Sequence, residues 1–508
     1  MKCSLIIPPW LPEEIFASKT AGSQINYWQP LGTLYVAAAM QQAGHEVRFF
    51  NGAFMDQAAI MAAVQEWEPA FIGLYSTTFG WQKAKKMAAA LRAGGVGDFL
   101  LAVGGPFPIA MPEQCLAESP ELDVVVTGEG EETVVELLER WQPLLATGSL
   151  EASEASAGQP PGDAGGVPAP RLAAALELDG VRGVVWRRAG EIVNNPPRPL
   201  ITDLDALPFP ARDLMGSAVD QYVPPPATYK RRPVAVIITS RGCDRRCLYC
   251  FQIDKYRQSG IRYRSVDNVL AEIRHCLKEG YREIKFIDDT LAADYHRALE
   301  LAARIKQEGL DFTWFASACV NQVDEKLLKA FKEAGCWAIL LGVESGVQKD
   351  LNTIHKGITI PQIRKAVAAA KKAGITVYTP FIFGIPGQTF EDGLKSIDFA
   401  LELDPDIANF HALTPFPGTE LWDNLEQYGT VSHDLADYTY QGAAFIPYSM
   451  SREEIAELRR LAFKRFYSRP KFLFRRLLAL RSVNDLRAAW QGLKSLFWLH
   501  VGGRLFQR

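Results

Sequence analysis

The chain of 508 residues has no run of 18 apolar residues, so its sequence offers no membrane-spanning helix. It also lacks a secretory signal pattern at its start. With eight cysteines, the expectation is a reducing, cytoplasmic setting in which thiols stay free. A net charge of −3 gives no global attraction to nucleic acid. No G-x-G-x-x-G follows the first strand-like stretch, which argues against an ordinary dinucleotide-binding domain. One further absence is local: Cys243, Cys247 and Cys250 form a C-x3-C-x2-C array that no fourth cysteine completes.

Three thiolates on one short loop can hold three irons of a [4Fe–4S] cube and leave the fourth iron open to a small chelating molecule. Tetrahedral zinc with a distant histidine is the rival, although zinc sites usually pair two C-x2-C or C-x2-H halves. The other cysteines, Cys3, Cys115, Cys276, Cys319 and Cys336, fall on strand-like and helix-like stretches and read as small buried hydrophobes. A hydrophobic content of 48% over this length supports two cores and a smaller third unit.

The cysteine loop follows a strand-like stretch at 233–239 and precedes a helical pattern at 266–279. Strand patterns recur at 283–287, 313–318, 338–343, 376–383 and 407–412, with helical patterns from Tyr295, at 324–334 and at 360–373. This alternation predicts a parallel sheet, open or curled into a partial barrel. Its active site belongs at the C-terminal strand ends, where the cysteine loop lies. Motifs gather at the same ends: Asp288-Asp289-Thr290, Gly342-Val343-Glu344-Ser345-Gly346, Gly384-Ile385-Pro386-Gly387-Gln388-Thr389 and Pro415-Phe416-Pro417-Gly418-Thr419.

The first 140 or so residues differ. Strand patterns at 5–7, 47–50, 71–75, 99–103 and 124–126 alternate with helices, as in an open doubly wound sheet. The loops after the last three read Ser76-Thr77-Thr78, Gly104-Gly105-Pro106 and Gly128-Glu129-Gly130-Glu131. Small hydroxyl and glycine residues at three adjacent strand ends would admit a large flat ligand and its phosphate tail.

In order and spacing these segments, with Pro8-Pro9 and Gln29-Pro30-Leu31-Gly32, resemble the cobalamin-dependent radical S-adenosylmethionine enzymes over most of residues 1–425. The resemblance implies an α/β protein: a Rossmann-like cobalamin-binding domain, then a partial (β/α)6 radical barrel, then a helical extension. It implies a [4Fe–4S] cluster on Cys243, Cys247 and Cys250. S-adenosylmethionine would be held by Tyr249, Asp288, Glu344, Ser345, Gly384, Pro386 and Gly387, and cobalamin by Ser76, Thr77, Gly104, Gly105, Gly128, Glu129 and Gly130. Departures are visible. The D-x-H-x-x-G stretch is replaced by Phe50-Asn51-Gly52-Ala53-Phe54, and no histidine follows Gly104-Gly105, so neither motif offers cobalt a histidine. A first domain that has lost its cofactor is the alternative there. Asp288 and Asp289 have a second reading as caps of the next helix. Asp244, Arg245 and Arg246 replace the family's more usual residues, and solvated charge is the favoured reading for them.

The expected layout is a cobalamin domain over 1–145, a middle segment over 146–228, a barrel over 229–425 and a basic helical unit over 426–508. The middle segment carries an Ala/Ser/Gly/Pro-rich flexible insertion at 149–170, a hairpin across 181–193 turning at Arg188-Ala189-Gly190, and a strap at Asp203-Leu204-Asp205 and Leu207-Pro208-Phe209-Pro210. Residues 458–484 contain no acidic side chain and carry Arg459, Arg460, Lys464, Arg465, Arg469, Lys471, Arg475, Arg476 and Arg481 opposite Phe463, Phe466, Tyr467, Leu473 and Phe474. Such a helix either lies on an anionic membrane, at its inner face, or docks on the barrel with its arginines in water, the reading slightly favoured.

The resemblance implies methyl transfer to an unactivated carbon of a small molecule or lipid. A 5′-deoxyadenosyl radical would open the substrate C–H bond, and the methyl group would come from methylcobalamin, recharged by a second S-adenosylmethionine. A donor such as flavodoxin or ferredoxin would supply the electron. Ring-forming or rearranging chemistry of the anaerobic porphyrin cyclase type is the enzymatic alternative, and a cluster- and cobalamin-binding sensor the non-enzymatic one.

Overall fold

The computed structural model describes residues 1–10, 27–95, 98–147, 176–188, 190–255, 258–432, 438 and 444–478. The insertion expected at 149–170, the hairpin's Ala189 and the basic stretch beyond Leu478 lie outside them. The chain forms two compact units: residues 1–11 with 30–218, and residues 12–29 with 219–508.

The first unit is built on strands β1 (Lys2–Ile7), β2 (Glu46–Asn51), β3 (Phe71–Tyr75), β4 (Leu100–Gly104), β5 (Val124–Val126), β6 (Val184–Arg188) and β7 (Glu191–Asn194), in spatial order β2-β1-β3-β4-β5-β6-β7. The first five are parallel, and the order reverses between β1 and β3, the place where doubly wound sheets leave a ligand crevice. The hairpin read across 181–193 is β6 and β7, and it extends the sheet by antiparallel pairing of Val184, Val185 and Trp186 with β5. Trp186 is buried and donates its indole N–H to Asn195 at 3.2 Å, which fixes the hairpin to the core.

The second unit has β8 (Val234–Ile237), β9 (Ser240–Arg241), β10 (Arg262–Tyr263), β11 (Glu283–Phe286), β12 (Thr313–Ala318), β13 (Cys336–Leu341), β14 (Thr376–Phe383) and β15 (Ile407–Ala412). Six of these form one parallel sheet in chain order, β8-β11-β12-β13-β14-β15. Helices Val266–Lys278, Tyr295–Gln307, Glu325–Glu333, Ile360–Lys372 and Phe390–Leu403 connect successive strands. They cover one face, where Ile284, Phe286, Trp314, Ile339, Val377 and Phe410 form the large core. The opposite face gathers a separate aromatic group, Phe315, Trp337 and Tyr378. A sheet whose helices all lie on one side curls around the other, so of the two forms that the alternation left open, flat or curled, this is the curled half-barrel that the resemblance implies. The free edge of β8 is capped by Gln29, which donates to Val234 O at 3.1 Å and accepts from Val236 N at 3.0 Å.

The basic C-terminal stretch is two helices, Arg452–Tyr467 and Pro470–Leu478, and not one. Proline cannot continue a helix through its missing N–H, and the first helix ends at Ser468. Ile455, Leu458, Ala462 and Phe466 are buried in the large core, and Phe463 and Phe466 pack on Phe410. Tyr467 accepts from Ala408 N at 3.3 Å and donates to Ala408 O at 2.7 Å. This apolar face is therefore spent on the half-barrel. Among the described residues no helix is long and apolar enough to cross a membrane.

Candidate active site

The cysteine loop is closed at its base by pairing of Arg241 with Arg262 and of Ser240 with Tyr263. Inside it Leu248 is the anchor: it is buried among Ile354, Ile382, Ile385, Leu413 and Leu421, its N–H donates to Ile354 O at 3.1 Å, and its carbonyl accepts from Leu421 N at 2.8 Å. The flanking Cys247 is thus held inward, while Cys243 and Cys250 are half-buried, and all three are free thiols. Burial raises Cys243 to about 11 and Cys247 to about 12. These thiols become the ligands a cluster needs only when a metal takes the proton's place. Among the described residues no three His, Cys, Asp or Glu side chains are drawn together around one metal ion. A cube held through three of its irons takes three cysteine thiolates, the donor type that this loop carries at Cys243, Cys247 and Cys250.

Arg245 is not simply solvated. It donates to Asn321 Oδ1 at 3.0 Å and to Gly357 O at 3.3 Å, tying the loop to the end of β12 and to the turn after Ile354. Arg246 and Asp244 are exposed.

Glu344 follows β13 with φ 65°, a left-handed conformation uncommon for a non-glycine residue. It is held there by backbone bonds to β14, Glu344 N to Pro380 O at 2.9 Å and Ile382 N to Glu344 O at 2.8 Å. Its carboxylate is buried and meets Lys356 Nζ at 2.7 Å. Burial alone would lower Lys356, but Glu344, with Tyr249 and Cys247 in reach, carries it well above the ordinary lysine value. The loop and the end of β13 therefore share one charged cluster. Lys356 carries no sequence signal: it stands twelve residues after Glu344 in no spacing rule, brought back by the short helix Gln348–Thr353.

The other barrel residues take distinct places. Asp288 caps no helix; Asp294 does, accepting from Arg297 N. Asp288 accepts instead from Thr239 N at 3.0 Å, Thr239 Oγ1 at 2.8 Å and Ser240 Oγ at 2.5 Å, joining the ends of β8 and β11. Its other oxygen is buried with no hydrogen-bond partner among the described residues, and burial raises its pKa. Asp289 is exposed and accepts from Gln252 at 3.1 Å. Ser345 turns inward to Asp350 at 2.8 Å and Ser396 at 3.0 Å, so its hydroxyl is satisfied within the protein. Gln388 bridges the same network, donating to Asp350 at 2.7 Å and accepting from Gly384 N at 2.9 Å. It thereby fixes the buried Gly384-Ile385-Pro386 turn, in which Gly384 has φ 82°. Gly387 follows it, exposed.

In the first unit Ser76, Thr77, Gly104, Gly105, Gly128, Glu129 and Gly130 stand at the C-terminal ends of β3, β4 and β5. Ser76 N donates to Gly104 O at 2.9 Å, and Thr77 Oγ1 accepts from Gly80 N at 3.2 Å. Gly105 has φ 111°, and a Cβ there would lie 2.5 Å from Ser76 O. The end of β3 therefore packs so closely on this turn that position 105 has no room for a side chain. Glu129 accepts from Ile201 N at 2.7 Å, so its carboxylate latches the following strap segment. Asn51, where the missing motif would have stood, accepts from Ala53 N at 2.9 Å and closes a tight turn. His45, the only histidine among residues 1–218, precedes β2 at the opposite end of that strand. A cobalamin held at these strand-end loops would find no histidine on them.

The Radical SAM superfamily model matches residues 237–400, and the B12 binding domain model matches residues 21–138. An uncharacterised methyltransferase of Pyrococcus horikoshii is 33% identical over 485 residues, 94% of each chain. The anaerobic magnesium-protoporphyrin IX monomethyl ester cyclase of Rubrivivax gelatinosus is 25% identical, covering 89% of this chain and 76% of that one. In fold, the chain is similar to the radical S-adenosylmethionine methyltransferase TsrM of Kitasatospora setae, solved with cobalamin and a [4Fe–4S] cluster. The TM-score is 0.62 at 17% identity, over 91% of this chain and 85% of that one.

Proposed function

Because the chain belongs to the cobalamin-binding radical S-adenosylmethionine family, we propose that it transfers a methyl group to an unactivated carbon of a small molecule or lipid. A bound [4Fe–4S] cluster, S-adenosylmethionine and cobalamin together supply a substrate-activating radical and a transferable methyl group. The chain's own residues hold and shield them. Cys243, Cys247 and Cys250 would hold the cluster, with Leu248 fixing their loop. Glu344 offers an acceptor and Lys356 a donor beside Cys247, and the Gly384–Gly387 turn, with Tyr249 and Asp288, completes the nucleoside side. Ser76, Thr77, Gly104, Gly105, Gly128, Glu129 and Gly130 would hold cobalamin.

The observation that carries the reading is the convergence of the three-cysteine loop and the buried Glu344–Lys356 pair at one rim of a six-stranded half-barrel. The electron would come from a small carrier such as flavodoxin or ferredoxin. Among the described residues of 458–484, peripheral membrane contact would fall to Leu473 and Phe474, which are 42% and 62% exposed beside Lys471, since Phe463, Phe466 and Tyr467 are docked.

The test is product balance in anaerobic turnover with a host extract fraction. Methyl transfer consumes one S-adenosylmethionine to supply the methyl group and a second to make the radical. S-adenosylhomocysteine and 5′-deoxyadenosine should therefore rise together in near-equal amounts. A rise of 5′-deoxyadenosine alone, with no methyl label in any product, would replace this reading with the ring-forming one that the similarity to the cyclase favours.

A further inference from the structure

The inner face of the half-barrel holds a buried lysine, Lys285, that no carboxylate pairs with among the described residues. On β11, Ile284 and Phe286 turn toward the helices, so Glu283 and Lys285, alternating with them, turn inward. Lys285 is 7% exposed. Its Nζ lies 4.3 Å from the centre of the Trp28 ring and 4.1 Å from that of Phe315. Aromatic faces stabilise a cation, but far less than a carboxylate would in the same buried place. The nearest acid along the strand does not serve. Glu283 accepts from the Trp337 indole N–H at 2.6 Å, from the Thr313 hydroxyl, and from the N–H groups of Lys230 and Arg231 at 3.3 and 3.2 Å. Its oxygens are spent on neutral donors.

Among the described residues Lys285 has no ion pair and no hydrogen bond from its ammonium group. Burial holds it down at about 7, with Glu283 opposing only in part. Burying a charge unpaired is costly, so the position calls for a group the chain does not itself provide. The face above it is not packed shut. Ser317, Leu340, Pro380 and Asn409 on neighbouring strands are only half-buried, and Ile287, two residues nearer the cysteine-loop rim, is 38% exposed.

We propose that Lys285 binds an oxyanion of the substrate, a carboxylate, phosphate or phosphonate, inside the half-barrel. The proposal rests on the functional reading above and narrows it: the substrate is an anion, anchored below the rim by its charged end, with its apolar body against Phe315.

The test uses the anaerobically reconstituted full chain and needs no turnover. Lysines are amidinated with methyl acetimidate at pH 8, and labelling of the Lys285 peptide is followed by mass spectrometry. The probes are benzoate, phenylphosphonate and inorganic phosphate, with benzyl alcohol as the neutral control. At least one oxyanion should slow Lys285 labelling about tenfold and saturably, while benzyl alcohol leaves it unchanged. Equal slowing by benzyl alcohol, no slowing by any oxyanion, or a Lys285 sealed from reagent in the ligand-free chain would each overturn the proposal. As a second readout, equilibrium dialysis of the protecting oxyanion should show about a tenfold loss in Lys285→Met and retention in Lys285→Arg. Equal binding by Lys285→Met would also overturn it. Because neither readout uses S-adenosylmethionine, failure here and failure of methyl transfer are separately visible.

Discussion

Removing one partner of the Glu344–Lys356 pair should open the rim of the half-barrel locally. The two groups meet at 2.7 Å with side chains 7% and 12% exposed, so solvent screens them little. Breaking such a pair from one side leaves a buried charge and costs about 3–5 kcal/mol. The backbone supplies the reporters, since Glu344 N bonds to Pro380 O and Ile382 N to Glu344 O. In hydrogen–deuterium exchange of the full chain, Glu344→Gln or Lys356→Met should speed exchange of these two amides by roughly two to three orders of magnitude. The double variant Glu344→Gln/Lys356→Met should cost no more than either single change, because no charge is then stranded. Lys356 is raised in the fold, so its contribution is fully present below the ordinary lysine value of 10.5 and is lost only as pH rises through the higher folded value. The ratio of wild-type to variant exchange should therefore stay constant between about pH 6 and 9. Additive costs in the double variant, or a ratio that shrinks within that range, would refute the reasoning.

Two further outcomes concern other parts of the chain. Gly105→Leu should lower cobalamin content while cluster iron stays intact, because a Cβ there meets Ser76 O at 2.5 Å on a backbone with φ 111°; equal loss of both would mean general misfolding. Leu473→Glu/Phe474→Glu should abolish any co-sedimentation with anionic vesicles, whereas unchanged binding would move the membrane contact away from that edge.

What the sequence made legible was local. β3, β5, β12, β14 and β15 stand on the stretches whose apolar pattern marked them, and the cysteine and glycine motifs lie at strand ends, since those residues are demanded by the turn or the ligand itself. β13 begins at Cys336, two residues before its expected start, because a register shift beside Trp314 lets Cys336 continue the pairing. What escaped were partnerships that tertiary folding alone creates. Gln29 caps an edge strand some two hundred residues away. Lys356 reaches Glu344 only through an intervening helix. Lys285 looks like the polar position of an alternating strand until the curled sheet turns that face inward. Ser345 belongs to a hydrophilic motif, yet its hydroxyl is absorbed by Asp350 and Ser396, neither of which the motif mentions.

The central claim is that Cys243, Cys247 and Cys250 are the only protein ligands of a cluster whose remaining iron is open to S-adenosylmethionine. Electron paramagnetic resonance of the anaerobically reduced full chain, recorded before and after adding S-adenosylmethionine, tests it directly. The account predicts a [4Fe–4S] signal that shifts on addition and that disappears when any one of the three cysteines is replaced by alanine. A signal indifferent to S-adenosylmethionine, or one that survives in the triple alanine variant, would contradict it.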